Sequence, residues 1–363
     1  MLFAFLFAVI LSVLIIVHEW GHFFAARRLG IRVERFSIGF GPKLFGIRRK
    51  ETEYRLSLIP LGGYVKLGGE TKEQPLTGAR WEYLSRSVGE RFAVVFAGPL
   101  LNYILAFVLF ATVYLLGNPQ LTTKIGKVME GYPAREAGLL EGDRILLIRN
   151  EKVQYWEDVT RIVHQTPKGK NVQLTVKRNE KELSFVVRPR WIEHKNLFGE
   201  SEQLALIGVG PSDEIISVRY PVHRAVALAA KQLGQITYLT LKAIAGMVTG
   251  RMPLRESLTG PIGIFVITEQ AARLGLVYLL QIVALISASL AIFNILPIPV
   301  LDGGHLLFLA LERLKGSPVS DRAQELLRQV GTVLLVGLML FVFYNDFLRF
   351  DVFERISSWF RKL

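Results

Sequence analysis

The chain has 363 residues, 51% of them hydrophobic, and a net charge of +13, with a mean hydropathy of +0.34. That is too apolar for an ordinary soluble globule and points to a membrane protein. Cysteine is absent, which excludes disulfides and thiolate metal sites and leaves histidine and carboxylate to hold any soft metal. The positive charge does not signal nucleic acid. Fourteen Lys/Arg against seven Asp/Glu fall within residues 27–91, beside two apolar runs, which is the positive-inside pattern of a cytoplasmic loop.

Residues 1–26 form the first predicted span. They carry no basic n-region and no small-residue cleavage site, so a signal peptide is a poor description. The run ends in "IIVHEWGH", and Arg27-Arg28 follow it directly, which places the N-terminus outside and the loop inside. His18 and His22 stand four apart, so on a helix they share one face about a turn from each other and can grip one metal. Glu19 lies within reach of the water that such a metal would activate. Ionisable groups inside an apolar span are functional by default. Two imidazoles leave a catalytic zinc one protein ligand short.

In the loop at 27–91, "FSIGFGPKLFG" repeats glycine but lacks the Walker lysine and the strand–helix frame of a phosphate loop. At 53–67, alternation through Tyr54, Leu56 and Leu58, then Pro60 and Gly62-Gly63, predicts a β-hairpin. A second span is expected at 92–117, which is near the ~17–25 residues that cross a bilayer. Residues 118–215 then read as a soluble β-rich domain. Residues 216–276 are apolar but interrupted by Lys231 and Lys242, so interfacial amphipathic helices are expected there, because a lysine at the bilayer centre costs about 2.5 kcal/mol or more. A third span at 277–301 ends in "NILPIPVLDGGH", where Asp302 is the first ionisable group after a long apolar run and is the candidate third ligand. Pro297 and Pro299 stop a regular helix there and free backbone carbonyls. A cytoplasmic link at 302–328, a fourth span at 329–347 and a tail at 348–363 complete the reading. The expected fold class is a mainly α-helical integral membrane protein of about four transmembrane helices, carrying an inserted β-rich domain and a membrane-associated β-hairpin.

Two resemblances sharpen this. "GYPAREAGLLEGDRILLIRNEKV" resembles a PDZ domain, with Arg149-Asn150 where Asn-Gly is commoner, which implies capture of an extended peptide or C-terminus by strand addition. Its carboxylate loop would be "LIGVG", with Ile207, Gly208 and Val209. HEWGH, "FAGPLLN" at 96–102, "LTGPIGI" at 258–264, "TEYRLSLIPLGGYVK" and "NILPIPVLDGG" together resemble the site-2 protease family of intramembrane zinc metalloproteases, in its bacterial regulator of sigma-E protease branch. The resemblance covers nearly the whole chain. It implies one Zn2+ per chain on His18, His22 and Asp302, Glu19 as general base, and Asn294 with Pro297 and Pro299 helping to hold the substrate. The hairpin, with Tyr54, Leu56 and Leu58, would be a membrane-dipping edge that binds substrate. Asn102 matches the family's G-P-x-x-N and is grouped with the substrate-binding residues. Two departures stand out: Ser289 replaces an asparagine found in some relatives, and there is room for only one PDZ domain.

The function this implies is zinc-dependent cleavage of single-span, helix-weak membrane proteins, such as trimmed anti-sigma factors and remnant signal peptides. The protein would sit in the bacterial inner membrane with its PDZ domain outside, its partners being such substrates, the lipid bilayer and peptide C-termini, with no nucleic acid. The alternatives are a non-catalytic PDZ scaffold with a structural metal and a metal transporter. A staple needs no Glu19, and a transporter needs further ionisable sites along its path, which the other spans scarcely offer.

Overall fold

The computed structural model describes residues 2–71, 76–196 and 198–350, without the side chains of residues 60, 61 and 256. The tail expected at 348–363 therefore lies mostly outside the described residues.

The chain opens with helix α1 (Leu2–Arg28), whose apolar residues show no preferred face, as expected of a helix surrounded by lipid and other helices. Strands β1 (Val33–Arg49) and β2 (Thr52–Leu67) lead to α2 (Val88–Leu116). Next come β3 (Asn118–Leu121), β4 (Ile125–Val128), α3 (Pro133–Glu136), β5 (Arg144–Ile148), β6 (Glu151–Lys152) and α4 (Trp156–His164), followed by β7 (Val172–Arg178) and β8 (Lys181–Val187). Then follow β9 (Arg190–Lys195), β10 (Ser201–Leu206), β11 (Val209–Pro211), β12 (Ile215–Val218) and α5 (Val222–Val248). The chain continues through α6 (Leu254–Ser257), α7 (Pro261–Leu274), α8 (Leu276–Ile295), α9 (Asp302–Lys315) and α10 (Asp321–Arg349). Among the described residues four helices, α1, α2, α8 and α10, are long and apolar enough to cross a membrane. Helix α5 is not among them; Arg224, Lys231, Gln232, Gln235 and Lys242 interrupt its apolar run.

Helix α2 begins at Val88, four residues before the expected span, and two other helix ends differ for reasons the structure shows. Helix α8 stops at Ile295, not 301, because Pro297 and Pro299 cannot donate to a continuing ladder; Leu296 already has extended backbone, with ψ 143. Helix α10 begins at Asp321, eight residues before the apolar run, because Ser320 caps it by accepting from the Ala323 N–H.

The chain forms two compact units, residues 1–112, 226–241 and 254–363 in one and residues 113–225 and 242–253 in the other. In the first, the hairpin expected at 53–67 is replaced by a different pairing. Phe36 lies opposite both Val65 and Tyr54, and Ile38 opposite both Gly63 and Leu56, while Phe45 and Ile47 pair with Leu56 and Tyr54. Residues 33–38 therefore run between the two halves of β2, and the lateral order is 43–49, 52–57, 33–38, 63–67. The chain doubles back within β1 at Gly39 and Gly41, whose φ values of 87° and 88° are open to glycine and costly for other residues. One face of this sheet is apolar, with Phe36 and Tyr54 against the Phe23 ring of α1 at 5.4 and 6.0 Å. The same face continues to Phe45 and Ile47, which are 73% and 75% exposed. On the opposite face Glu53 accepts from Lys43, Arg55 and Arg35, and these cations hold its carboxyl down at about 2.

In the second unit, a sheet ordered β6-β5-β7-β8 covers a core built on Leu139, Ile145, Ile148, Val172, Leu174 and Val176. Strands β3 and β4 pair in turn with β12 and β11, forming one antiparallel ribbon. The Gly-Asp of the PDZ-like motif proves to be structural: Asp143, 1% exposed, receives both Arg178 nitrogens at 2.7 Å and the Leu140 N–H at 2.9 Å. Arg149 and Asn150 make the β5–β6 turn with φ of 51° and 62°, the mirror-image turn that favours Asn-Gly. The Arg149 guanidinium offsets the strain by donating to the Ile162 carbonyl and the Thr166 hydroxyl.

Candidate active site

Helix geometry brings His18 and His22 to one face of α1, and a close helix crossing seats that face on α2. The crossing depends on missing side chains. A Cβ at Gly21 would stand 2.2 Å from the Ala97 oxygen, and one at Gly98 would stand 2.3 Å from His22 Nε2 and 3.0 Å from His18 Cε1. Opposite this pair, the turn after α8 delivers Asp302 as the first residue of α9, at the positive end of that helix, which favours a carboxylate. Here too glycine sets the fit, since a Cβ at Gly303 would sit 2.0 Å from the Leu296 oxygen and one at Gly304 2.4 Å from Pro299 Cα.

The result is a tight cluster. Asp302 Oδ2 lies 3.0 Å from His18 Nε2 and 3.5 Å from His22 Nε2, and the two imidazole nitrogens are 3.2 Å apart. His22 Nδ1 stands 2.9 Å from the Val94 carbonyl. That oxygen can only accept, so Nδ1 carries the proton and Nε2 of the neutral ring presents a lone pair. A bare nitrogen aimed at a buried carboxylate oxygen that has no hydrogen-bond donor is an unfavourable contact without a cation between them. These three residues are the His/Asp/Glu group, among the described residues, whose donor atoms all lie within 4.8 Å of one another. Two imidazoles and one carboxylate suit zinc, and they leave a fourth position open. His305, one turn along α9, is exposed and outside the cluster.

Glu19 stands between the cluster and the sheet, with His22, His18 and Asp302 all close enough to act on its charge. Its Cγ is 3.4 Å from where a Gly63 Cβ would be, and the Val65 backbone N–H bonds its carboxylate. Residues 63–67 pair with 33–38 on one side, and among the described residues no strand covers their other edge. A free strand edge thus lies beside the carboxylate.

The family model of peptidase family M50 matches residues 6–338. The chain belongs to peptidase family M50. This M50 peptidase is 33% identical to the regulator of sigma-E protease RseP of Escherichia coli K12, over 94% of this chain and 98% of that one. It is 32% identical to the regulator of sigma E protease of Haemophilus influenzae over the same shares of the two chains. It is also 36% identical to a protein of Agrobacterium fabrum named provisionally as a zinc metalloprotease, over 94% of each chain. The RseP alignment runs over 448 positions, more than the 363 residues present here, so RseP holds a segment without counterpart in this chain. Among solved structures, the PDZ domain of an SdrC-like protein from Listeria monocytogenes is 20% identical and covers 25% of this chain and 86% of that one, with a TM-score of 0.21.

The remaining expected site residues are dispersed. Asn294 is half-buried near the end of α8, and Pro297 and Pro299 lie in the turn that follows, with Pro299 packed near Gly331 of α10. Tyr54 and Leu56 belong to residues 52–57, which are paired on both sides, so their backbone offers no free edge; Leu58 is exposed, between the paired residues Ser57 and Ile59. Asn102 is 1% exposed, enclosed between helices. In the second unit Ile207 is part of the hydrophobic core and its carbonyl accepts from Ala134. Gly208, at φ 85°, lies under the Tyr132 side chain, and Val209 pairs with Val128. Reading the sequence did not single out Val94 or Gly98 as supports of the histidines. The visible signal was a glycine and a valine one helical turn apart in "VVFAGP".

Proposed function

We propose that this M50 peptidase is an intramembrane zinc protease that cuts single-span membrane proteins near or within the bilayer. The observation that carries the reading is the convergence of His18, His22 and Asp302 from two distant segments, with Glu19 one residue from the first ligand and facing a free strand edge. His18, His22 and Asp302 hold one zinc per chain. Zinc bound there would polarise the scissile carbonyl and acidify a water. Glu19 takes the proton of the attacking water and returns it to the leaving amine, acting as base and then as acid. The free edge of residues 63–67 receives the substrate as an added strand, so the substrate must first unwind, and helix-weak segments are favoured. Asn294, Pro297 and Pro299 help to hold the substrate, as the family resemblance implies. Tyr54, Leu56 and Leu58 act through the sheet's apolar face, which enters the lipid, and not as an edge.

The charge pattern supports an N-terminus outside, residues 27–91 in the cytoplasm and residues 118–215 outside. That extracytoplasmic domain, whose sequence motif resembles a PDZ domain, sorts substrates at the loop of Ile207, Gly208 and Val209. Anti-sigma factors already trimmed outside the membrane and remnant signal peptides are the substrate classes that fit an inner-membrane enzyme with one such domain.

The test is purification of the wild type and Glu19→Gln, zinc determination, and cleavage of a helix-weak single-span substrate in detergent. Both forms should hold about one zinc, and loss of the base should slow cleavage by ~10²–10⁴-fold. Glu19→Gln cutting at the wild-type rate would remove Glu19 from the chemistry, and zinc without cleavage in the wild type would favour a scaffold.

A further inference from the structure

The two histidines are supported unequally. His22 Nδ1 is tied to the Val94 carbonyl, whereas His18 Nδ1 is buried with no hydrogen-bond partner. On α2, Asn102 is 1% exposed, and both its amide nitrogen and its amide oxygen are likewise unpartnered. Its backbone carbonyl is occupied, accepting from Ser287 of α8 at 2.8 Å. A primary amide buried without any partner costs several hydrogen bonds' worth of desolvation and calls for a specific reason.

Register supplies one. Helices α1 and α2 run antiparallel: Ala26 packs with Val94, His22 reaches Val94 and Gly98, and His18 reaches Gly98. Each step of four residues back along α1 meets a step of four forward along α2. Val94, Gly98 and Asn102 therefore make one stripe, i, i+4 and i+8, facing His22 and then His18. Side chains on a helix lean toward its N-terminus, so the Asn102 amide covers the turn of Gly98, which has no side chain and lies against the His18 ring. We propose that Asn102 is the positioning residue for His18, its amide oxygen accepting from His18 Nδ1–H directly or across one ordered water, as the Val94 carbonyl does for His22. This fixes the tautomer in which His18 Nε2 presents its lone pair to the metal. It assigns Asn102 to the metal centre instead of to the substrate. The inference rests on the cluster being a zinc site.

Two measurements test it. With six histidines in the chain, long-range ¹⁵N–¹H spectra of the zinc-loaded wild type, ¹⁵N-labelled at histidine, can be assigned by single substitutions. A His18 Nδ1 bearing a hydrogen-bonded proton supports the proposal, and a proton on no Nδ1 of His18 overturns it without any variant having to fold. The second measurement is zinc release to a chelator from Asn102→Leu and Asn102→Asp. Removal of such a partner typically weakens metal binding 10–100-fold, so Asn102→Leu should lose zinc that much faster, and Asn102→Asp, which restores an acceptor, should return to within about threefold of wild type. Equal loss in both, or none in Asn102→Leu, refutes the positioning role while leaving the zinc reading intact. A wild type that holds no zinc removes both.

Discussion

Substituting Gly98 by alanine isolates the contact on which the metal cluster depends. Alanine normally stabilises a helix interior relative to glycine by about 0.5–1 kcal/mol, and α2 is a long helix. At this position the new Cβ would lie 2.3 Å from His22 Nε2, against an ordinary contact of about 3.5 Å, so the ring must retreat by roughly 1 Å. The helices cannot separate cheaply instead, because Gly21 already rests on the Ala97 carbonyl. Metal–ligand distances tolerate only about 0.2 Å, so a retreat several times larger removes His22 as a ligand. Overpacking of this kind costs typically about 1–3 kcal/mol in stability, which leaves the protein folded. Gly98→Ala should therefore purify in normal yield, hold little zinc after dialysis against a weak chelator, and lose cleavage. Gly89→Ala, in the same helix with nothing within 4 Å of its added carbon, is the control and should behave as wild type. If Gly98→Ala retains one zinc per chain and cuts within threefold of wild type, the packing argument is wrong.

Gly303→Ala should have a similar effect from the other side of the cluster, since its Cβ would press on the Leu296 and Ile295 oxygens and shift Asp302; normal zinc content would refute this. Asp346, fully buried in α10, accepts from the Gly260 and Gly263 N–H groups at the start of α7. Asp346→Ala leaves two buried donors unpaired at about 1–3 kcal/mol each, so it should melt at a lower temperature than Asp346→Asn, which keeps one acceptor; equal melting would disprove the cap. Glu82, whose carboxylate accepts from Thr77, Gly78 and Ser85, has its pKa lowered to about 2, chiefly by the Thr77 N–H. A lowered folded value stabilises above the unfolded pKa of ~4.3 and is lost as pH falls toward 2. Protease cleavage within residues 76–85 should rise across that window in the wild type and be independent of pH across it in Glu82→Gln.

The candidate metal site was legible because its chemistry is expensive: charged groups in apolar runs have few structural explanations, so His18, His22, Glu19 and Asp302 stood out from their surroundings. The four long helices followed from apolar length alone. The sheet was not legible in the same way. Alternation at 53–67 correctly announced strands, but it carries no record of which partner lies beside them. Residues 33–38 enter between the two halves of β2, with Phe36 opposite both Val65 and Tyr54, a pairing that alternation along one strand does not announce. The roles of Gly98 and Val94 were hidden for another reason: their one-turn spacing in "VVFAGP" says nothing of the rings they touch until the crossing of α1 and α2 is known. In the second unit, Arg149 occupies a turn that glycine would suit better because its guanidinium bonds the far end of α4, a compensation that local sequence cannot reveal.

The distance along the chain between the two halves of the cluster has a consequence for biosynthesis. His18 and His22 leave the ribosome early, whereas Asp302 follows 280 residues after His22. At ~5–20 residues per second, the proposed ligand set stays incomplete for tens of seconds, until α8 and the turn into α9 have been made. On the proposed ligand set, a half-made chain carries histidines but no complete site, and so no metalloprotease activity. Competence arrives with topology, so assembly itself acts as the safety catch that many soluble proteases obtain from a removable pro-segment.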